Sequence, residues 1–186
     1  QPATISLSGT PVAFPVGGFL QATDDGERAL VASVCEAVDG AKATADLFAG
    51  LGTFALAAGA SYAAEASREA AAALNRAAPT MAVEHRDLYR RPLDLEDLKR
   101  FDAVILDPPR AGAAEQVRAL GRSAVARIAY ASCNPATFAR DAKTLCDGGY
   151  RLAWVVPVGQ FRWSTHVELA ACFSRDDAVG TVRHEP

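Results

Sequence analysis

Cys133 stands where an apolar run ends and a proline turns the chain, in Ile128-Ala129-Tyr130-Ala131-Ser132-Cys133-Asn134-Pro135. Strand ends are where open α/β sheets place reactive groups. A thiol there can act as a nucleophile, and a helix opened by Asn134-Pro135 is expected to lower its pKa from about 8.5 through the helix dipole. Asp107-Pro108-Pro109-Arg110 follows a second strand, made of Val, Ile and Leu, and its prolines stiffen the loop by fixing φ. His166-Val167-Glu168 leads into a third apolar strand. Each run also has a plain alternative: a core cysteine, a proline turn after a buried strand, a solvated edge glutamate.

A fourth run, Asp46-Leu47-Phe48-Ala49-Gly50-Leu51-Gly52-Thr53-Phe54, is a strand, a glycine turn and a helix start. Glycines let backbone approach a ligand closely. Glu65 follows the next strand, where a carboxylate can accept both hydroxyls of a ribose. A dinucleotide fingerprint wants a third glycine, but Phe54 and Ala55 fill that stretch. Asp46 suits a cationic ligand better than a pyrophosphate, and S-adenosylmethionine has a sulfonium and a ribose but no phosphate. The bland alternative is a tight strand-to-helix turn.

One reaction links these groups. Carbon 5 of a pyrimidine is a poor nucleophile until a thiolate adds to carbon 6 and converts the ring to an enolate. Carbon 5 then takes a methyl group from a sulfonium, and a base removes its proton so that the thiolate can leave. Cys133, Glu168 and the glycine loop supply that set.

These residues need a scaffold of strands that end side by side. Apolar spacing predicts a helix over 24–38 capped by Asp24 or Asp25, then strands over 43–48, 61–64, 81–85, 103–106 and 128–131. Helices are expected between them over 52–58, 67–78, 93–100, 114–122 and 137–146, with two closing strands over 152–158 and 167–173. The alternation predicts a mostly parallel seven-stranded α/β sheet, helices on both faces and an antiparallel edge pair. Residues 1–20, rich in Pro and Gly, read as irregular or hairpin-like. They are expected to connect from an upstream region to a catalytic domain over 21–186, and the start at Gln1 suggests a fragment.

With 186 residues, half of them apolar, the chain can bury a sizeable core. Its net charge of −3 does not announce a nucleic-acid binder, so any such affinity must be local. No sequence run is long enough to span a bilayer, and no membrane partner is expected. Cys35, Cys133, Cys146 and Cys172 lack metal-ligand spacing, so no metal is expected, and a reducing cytoplasm fits them.

The chain resembles the catalytic domain of the RNA uracil-5-methyltransferases, which make 5-methyluridine in tRNA and rRNA. The likeness runs from Phe19 to Arg175. It is carried by Phe19-Leu20-Gln21, DLFAGLGTF at 46–54, Glu65, LDPPRAG at 106–112, YASCNPATFARD at 130–141 and HVE at 166–168. It implies a Rossmann-like class I methyltransferase fold, with Cys133 as nucleophile and Glu168 as the base. It also implies S-adenosylmethionine held by Gln21, Phe48, Thr53, Glu65, Asp87 and Asp107. Thr23, Thr53 and Arg162 depart from the family's frequent Asn, Asn and Pro. The family's RNA-binding modules, and any iron–sulfur cluster, are expected upstream of this segment.

An RNA substrate and a monomeric protein are the expected partners and state. Arg86, Arg90, Arg91, Arg110, Arg118, Arg122, Arg140, Lys143 and Arg162 are the cations available to RNA; Phe19, Phe161 and Trp163 are candidates to stack on an extruded base. Two other readings remain open from sequence. An amino-group methyltransferase could use Asp107-Pro108-Pro109, although Arg110 takes the place of the stacking aromatic. A module that holds S-adenosylmethionine or RNA without turnover is the other.

Overall fold

The computed structural model of the protein describes residues 3–16, 23–159 and 167–175. A hairpin of β1 (Ala3–Leu7) and β2 (Thr10–Phe14) comes first. Helix α1 (Asp24–Val38) follows, burying Leu30, Val34 and Val38 along one stripe. Its cap is Thr23 rather than Asp24 or Asp25: the Thr23 hydroxyl accepts from the Gly26 N–H at 3.1 Å, leaving both aspartates in the first turn, where the helix dipole favours them.

Strands and helices then alternate: β3 (Thr44–Leu47), α2 (Thr53–Ala58), β4 (Tyr62–Glu65), α3 (Arg68–Ala77), β5 (Ala82–His85), α4 (Leu95–Leu98), β6 (Ala103–Leu106), α5 (Ala114–Gly121), β7 (Arg127–Ser132), α6 (Pro135–Asp147), β8 (Arg151–Val158) and β9 (Glu168–Ser174). Helix α6 starts two residues before the expected position, because Asn134 caps it and Pro135 has its φ preset for the first helical position. Helix α4 is shorter than expected. Asp94 caps it, accepting from the Asp97 N–H at 2.9 Å, and Leu93 is drawn into the core, where its N–H donates to Gln116 Oε1 at 2.8 Å.

Seven strands form one sheet in the order β5-β4-β3-β6-β7-β9-β8, parallel from β5 to β7 and antiparallel at β9 and β8. Every residue of β3 and β6 is buried, as expected for central parallel strands covered on both faces. One face gathers Leu47, Leu106, Tyr130, Phe138 and Phe173 in a single core cluster, while Ile105, Ala129 and Cys172 pack on the other with Leu30, Val34 and Phe54. The hairpin rests on α3 through Leu7, Val12, Ala70 and Ala73.

The chain leaves β3 toward β4 on one side and returns at β6 on the other. The strand order therefore reverses between β3 and β6, and a crevice opens at their carboxyl ends, the usual ligand position in such sheets. Gly52 turns the chain there with φ of 91°, and a Cβ on it would run into Leu74, so the tight turn requires glycine.

Candidate active site

The topology brings seven of the eight sequence-predicted site residues to one rim of the sheet. Phe48 follows β3, Glu65 ends β4, and Asp87 follows β5. Asp107 follows β6 and Cys133 follows β7. Glu168 opens β9, whose reversed direction puts its first residue at the same rim. Thr53 begins α2, just past the glycine turn. All seven are partly accessible. Gln21 and His166 lie outside the described residues, as do Phe19, Phe161, Arg162 and Trp163.

Register makes the central pairing. Strands β7 and β9 are antiparallel with Ser132 opposite Leu169, so one step further Cys133 comes alongside Glu168. Asp107 is on the neighbouring strand end, near enough that its charge and that of Glu168 both bear on the thiol. The thiol pKa is raised, first by burial and then by these carboxylates; Arg110 and the residue's own backbone pull it down less. The expected lowering by the α6 dipole is thus corrected. The thiol does adjoin the helix start, but desolvation and two nearby carboxylates outweigh the partial charge of a helix end. Glu168→Gln should therefore accelerate alkylation of Cys133 by iodoacetamide by about 3- to 10-fold near neutral pH, as removal of one adjacent negative charge lowers a pKa by up to about one unit. Peptide-resolved alkylation rates check this, and an unchanged Cys133 rate would contradict it.

Asp107 is under the same field. Burial, then the charges of Glu168 and Glu65, push its carboxyl up to about 7. The folded state holds this proton more tightly than the unfolded chain does, so its stabilising effect is complete below about pH 4 and is lost as pH rises through about 7. Asp107→Asn should accordingly stabilise the protein at pH 8 and change little at pH 4. The side chain keeps an accessible edge that solvent screens, which holds the gain to about 1–2 kcal/mol. Thermal unfolding at both pH values tests the sign, and a less stable variant at pH 8 would contradict it.

Asp46 departs from the expected role. It is fully buried within β3, and neither carboxylate oxygen has a hydrogen-bond partner. Burial and the charges of Asp107 and Glu65 hold its pKa well above the usual carboxylate range. The Ala55 backbone pulls the other way without reaching hydrogen-bond geometry. It lies beneath the rim, inside the sheet. Glu65 is held in place: its two oxygens accept from the Gly50 N–H at 2.9 Å and the Ser67 N–H at 2.6 Å. Carboxylates thus crowd the strand ends, an arrangement suited to a cation and hostile to phosphate. Among the described residues no group of three or more His, Cys, Asp or Glu side chains is gathered to hold a metal ion.

The family model for tRNA (uracil-5-)methyltransferase matches residues 74–176, more than half of the chain. The chain belongs to this family. An uncharacterised RNA methyltransferase of Zymomonas mobilis is 55% identical over 92% of the chain and 45% of its own length. The 23S rRNA (uracil(1939)-C(5))-methyltransferase RlmD of Dechloromonas aromatica is 42% identical over 69% of the chain and 33% of its own length. The crystal structure of Pyrococcus abyssi tRNA (uracil-54, C5)-methyltransferase in complex with S-adenosyl-L-homocysteine superposes with a TM-score of 0.78 at 29% identity, covering 92% of this chain and 44% of that one. The chain spans less than half the length of these relatives.

Several basic residues of this family member are already paired within the domain. The Arg86 guanidinium donates to the carbonyls of Arg91 and Pro92 at 2.7 and 2.8 Å and pairs with Asp97 at 3.1 Å, fixing the turn after β5. Arg118 pairs with Glu115 and Lys143 with Asp147, both on exposed helix faces. Arg110 is exposed and close enough to Cys133 to act on its charge.

Sequence reasoning missed Tyr89 and Asp141. Asp141 is fully buried, and its Oδ2 accepts from the Tyr130 hydroxyl and the Ala113 N–H, both at 2.6 Å. The available signal was its place on the buried face of α6, in line with Phe138, Ala142 and Leu145. A carboxylate at such a position needs partners.

Proposed function

We propose that this domain transfers a methyl group from S-adenosylmethionine to carbon 5 of a uridine in structured tRNA or rRNA, by way of a covalent Cys133 adduct. The observation that carries the reading is the cross-strand placement of Cys133 beside Glu168 with Asp107 on the next strand end. S-adenosylmethionine supplies an electrophilic methyl group on a sulfonium. The rim fits it: fixed Glu65 retains lone pairs for ribose hydroxyls, Asp107 meets positive charge, and the glycine turn leaves room for close backbone approach. Gln21, Phe48, Thr53 and Asp87 complete the proposed donor set.

In this mechanism Cys133, which is partly accessible, loses its proton to solvent, and its sulfur forms a bond to carbon 6 of the uracil as the 5,6 double bond opens. Carbon 5 of the enolate so formed takes the methyl group as the bond from methyl to sulfonium sulfur breaks, and S-adenosylhomocysteine leaves as the neutral thioether. Glu168 takes the proton from carbon 5, the carbon–sulfur bond breaks, and the 5,6 double bond returns. Positive charge placed against Asp107 offsets part of the field that keeps the thiol protonated. Arg110, exposed at the rim, is placed to meet the RNA. The domain is proposed to act as a monomer in the reducing cytoplasm. Among the described residues, no helix is long and apolar enough to cross a membrane, and all four cysteines are free.

Incubation of the protein with methyl-labelled S-adenosylmethionine and RNA lacking 5-methyluridine tests the reaction. Label recovered as 5-methyluridine supports it. Label on an exocyclic amino group would favour an amino-methylating enzyme, and no transfer to any RNA would favour a binding module.

A further inference from the structure

The loop after β6 is tied down at successive positions. Asn134 Nδ2 and Thr137 Oγ1 both donate to the Arg110 carbonyl at 3.0 Å, and Arg140 donates to the Ala111 carbonyl at 3.0 Å. Asp141 accepts the Ala113 N–H and is itself held by Tyr130 and Arg140. Gly112, at φ of 77°, leaves no room for a side chain, since a Cβ would lie 2.6 Å from both Arg140 and Asp141. These ties come from β7, α6 and the Asn134 cap, which flank Cys133.

One tie comes from the opposite half of the rim. The Tyr89 hydroxyl donates to the Gly112 carbonyl at 3.1 Å. Its ring lies 5.5 Å from that of Phe48, tilted by 54°, and its backbone N–H donates to Asp87 Oδ1 at 3.0 Å. Phe48 holds a left-handed φ of 65°, uncommon for a bulky residue, just before the glycine turn, and packs against the core as well as Tyr89. Tyr89 therefore touches two residues of the proposed donor set with its ring and backbone, and the loop beside Cys133 with its hydroxyl.

We propose that Tyr89 is a positioning residue that couples the donor half of the site to the loop over residues 110–113, so that a seated adenosyl ligand holds this loop closed beside Cys133. The inference rests on the donor reading above. A ligand shifts a loop equilibrium only through contacts that differ between its states. A ligand against Phe48 and Asp87 immobilises the Tyr89 ring, and the hydroxyl bond to Gly112 then forms with less motion left to lose.

The Gly112 N–H donates to the Pro109 carbonyl at 2.8 Å and the Ala113 N–H to Asp141, so both amides exchange with solvent only when the loop opens. The test is residue-resolved hydrogen exchange with and without S-adenosylhomocysteine, alongside calorimetry, in the parent protein and in Tyr89→Phe. That substitution keeps the ring over Phe48 and removes only the hydroxyl. In the parent, the ligand should slow exchange at Gly112 and Ala113 by about fivefold or more. In Tyr89→Phe it should still bind, no more than about tenfold more weakly than to the parent, with a cooperative thermal transition retained, and the slowing should vanish. A merely structural tyrosine would leave the ligand-dependent slowing intact, and that result overturns the proposal. Ligand binding to the parent without slowing overturns it as well. If calorimetry detects no binding to the parent, the donor reading itself falls and takes this inference with it.

Discussion

Cys133→Ala abolishes methyl transfer, with an expected loss of at least about 10³-fold in turnover, because no other route makes carbon 5 of the ring nucleophilic. The effect belongs to chemistry and not to folding. Cys133 is only partly buried and follows β7, so truncating it leaves the core intact. Donor affinity should stay within about threefold of the parent, because truncation also removes a neighbour of Asp107 without altering Glu65 or the glycine turn. Methyl incorporation and calorimetric binding of S-adenosylhomocysteine, measured on the same preparation, separate the two. A variant that still transfers methyl groups at the parent rate would place the chemistry at Asp107-Pro108-Pro109 instead.

Glu168→Gln has the second largest expected effect and a different signature. Glutamine preserves size and shape at the start of β9 but cannot take a proton. The thiol should become easier to ionise, since a negative charge beside it is gone. Addition and methyl transfer therefore proceed, while release stalls, and turnover falls by about 10²- to 10⁴-fold. The consequence is accumulation of a methylated RNA–protein adduct on unmodified RNA, visible as a labelled band that survives denaturation. Turnover at the parent rate would show that another group removes the proton.

These two effects pull apart roles that the sequence left entangled. The framework was legible because buried parallel strands are short apolar runs with glycine, proline or polar stops. The spans 24–38 and 103–106 match α1 and β6 at both ends for that reason. Because every parallel strand ends at the same rim, residues far apart in sequence but each just after an apolar run share that rim, as Phe48, Glu65, Asp87, Asp107 and Cys133 do. The sign of the Cys133 shift was not legible. It depends on how deeply the thiol is set and on Glu168 and Asp107 across two strand pairings, which a local helix-dipole argument cannot contain. Tyr89 and Asp141 escaped for a related reason, since their partners Gly112 and Ala113 lie 23 and 28 residues away. Thr23 was missed as a cap because a threonine before two aspartates offers three candidate oxygens, and only backbone geometry selects one.

The central claim is the covalent step, and RNA containing 5-fluorouridine tests it most directly. Fluorine at carbon 5 cannot leave as a proton, so Glu168 has nothing to remove and the carbon–sulfur bond cannot break. With S-adenosylmethionine present, the protein should form an RNA complex that survives denaturation, and peptide mass mapping should place the added nucleotide, methyl group included, on Cys133. Methylation of ordinary RNA without any trapped complex on the fluorinated RNA would contradict the account.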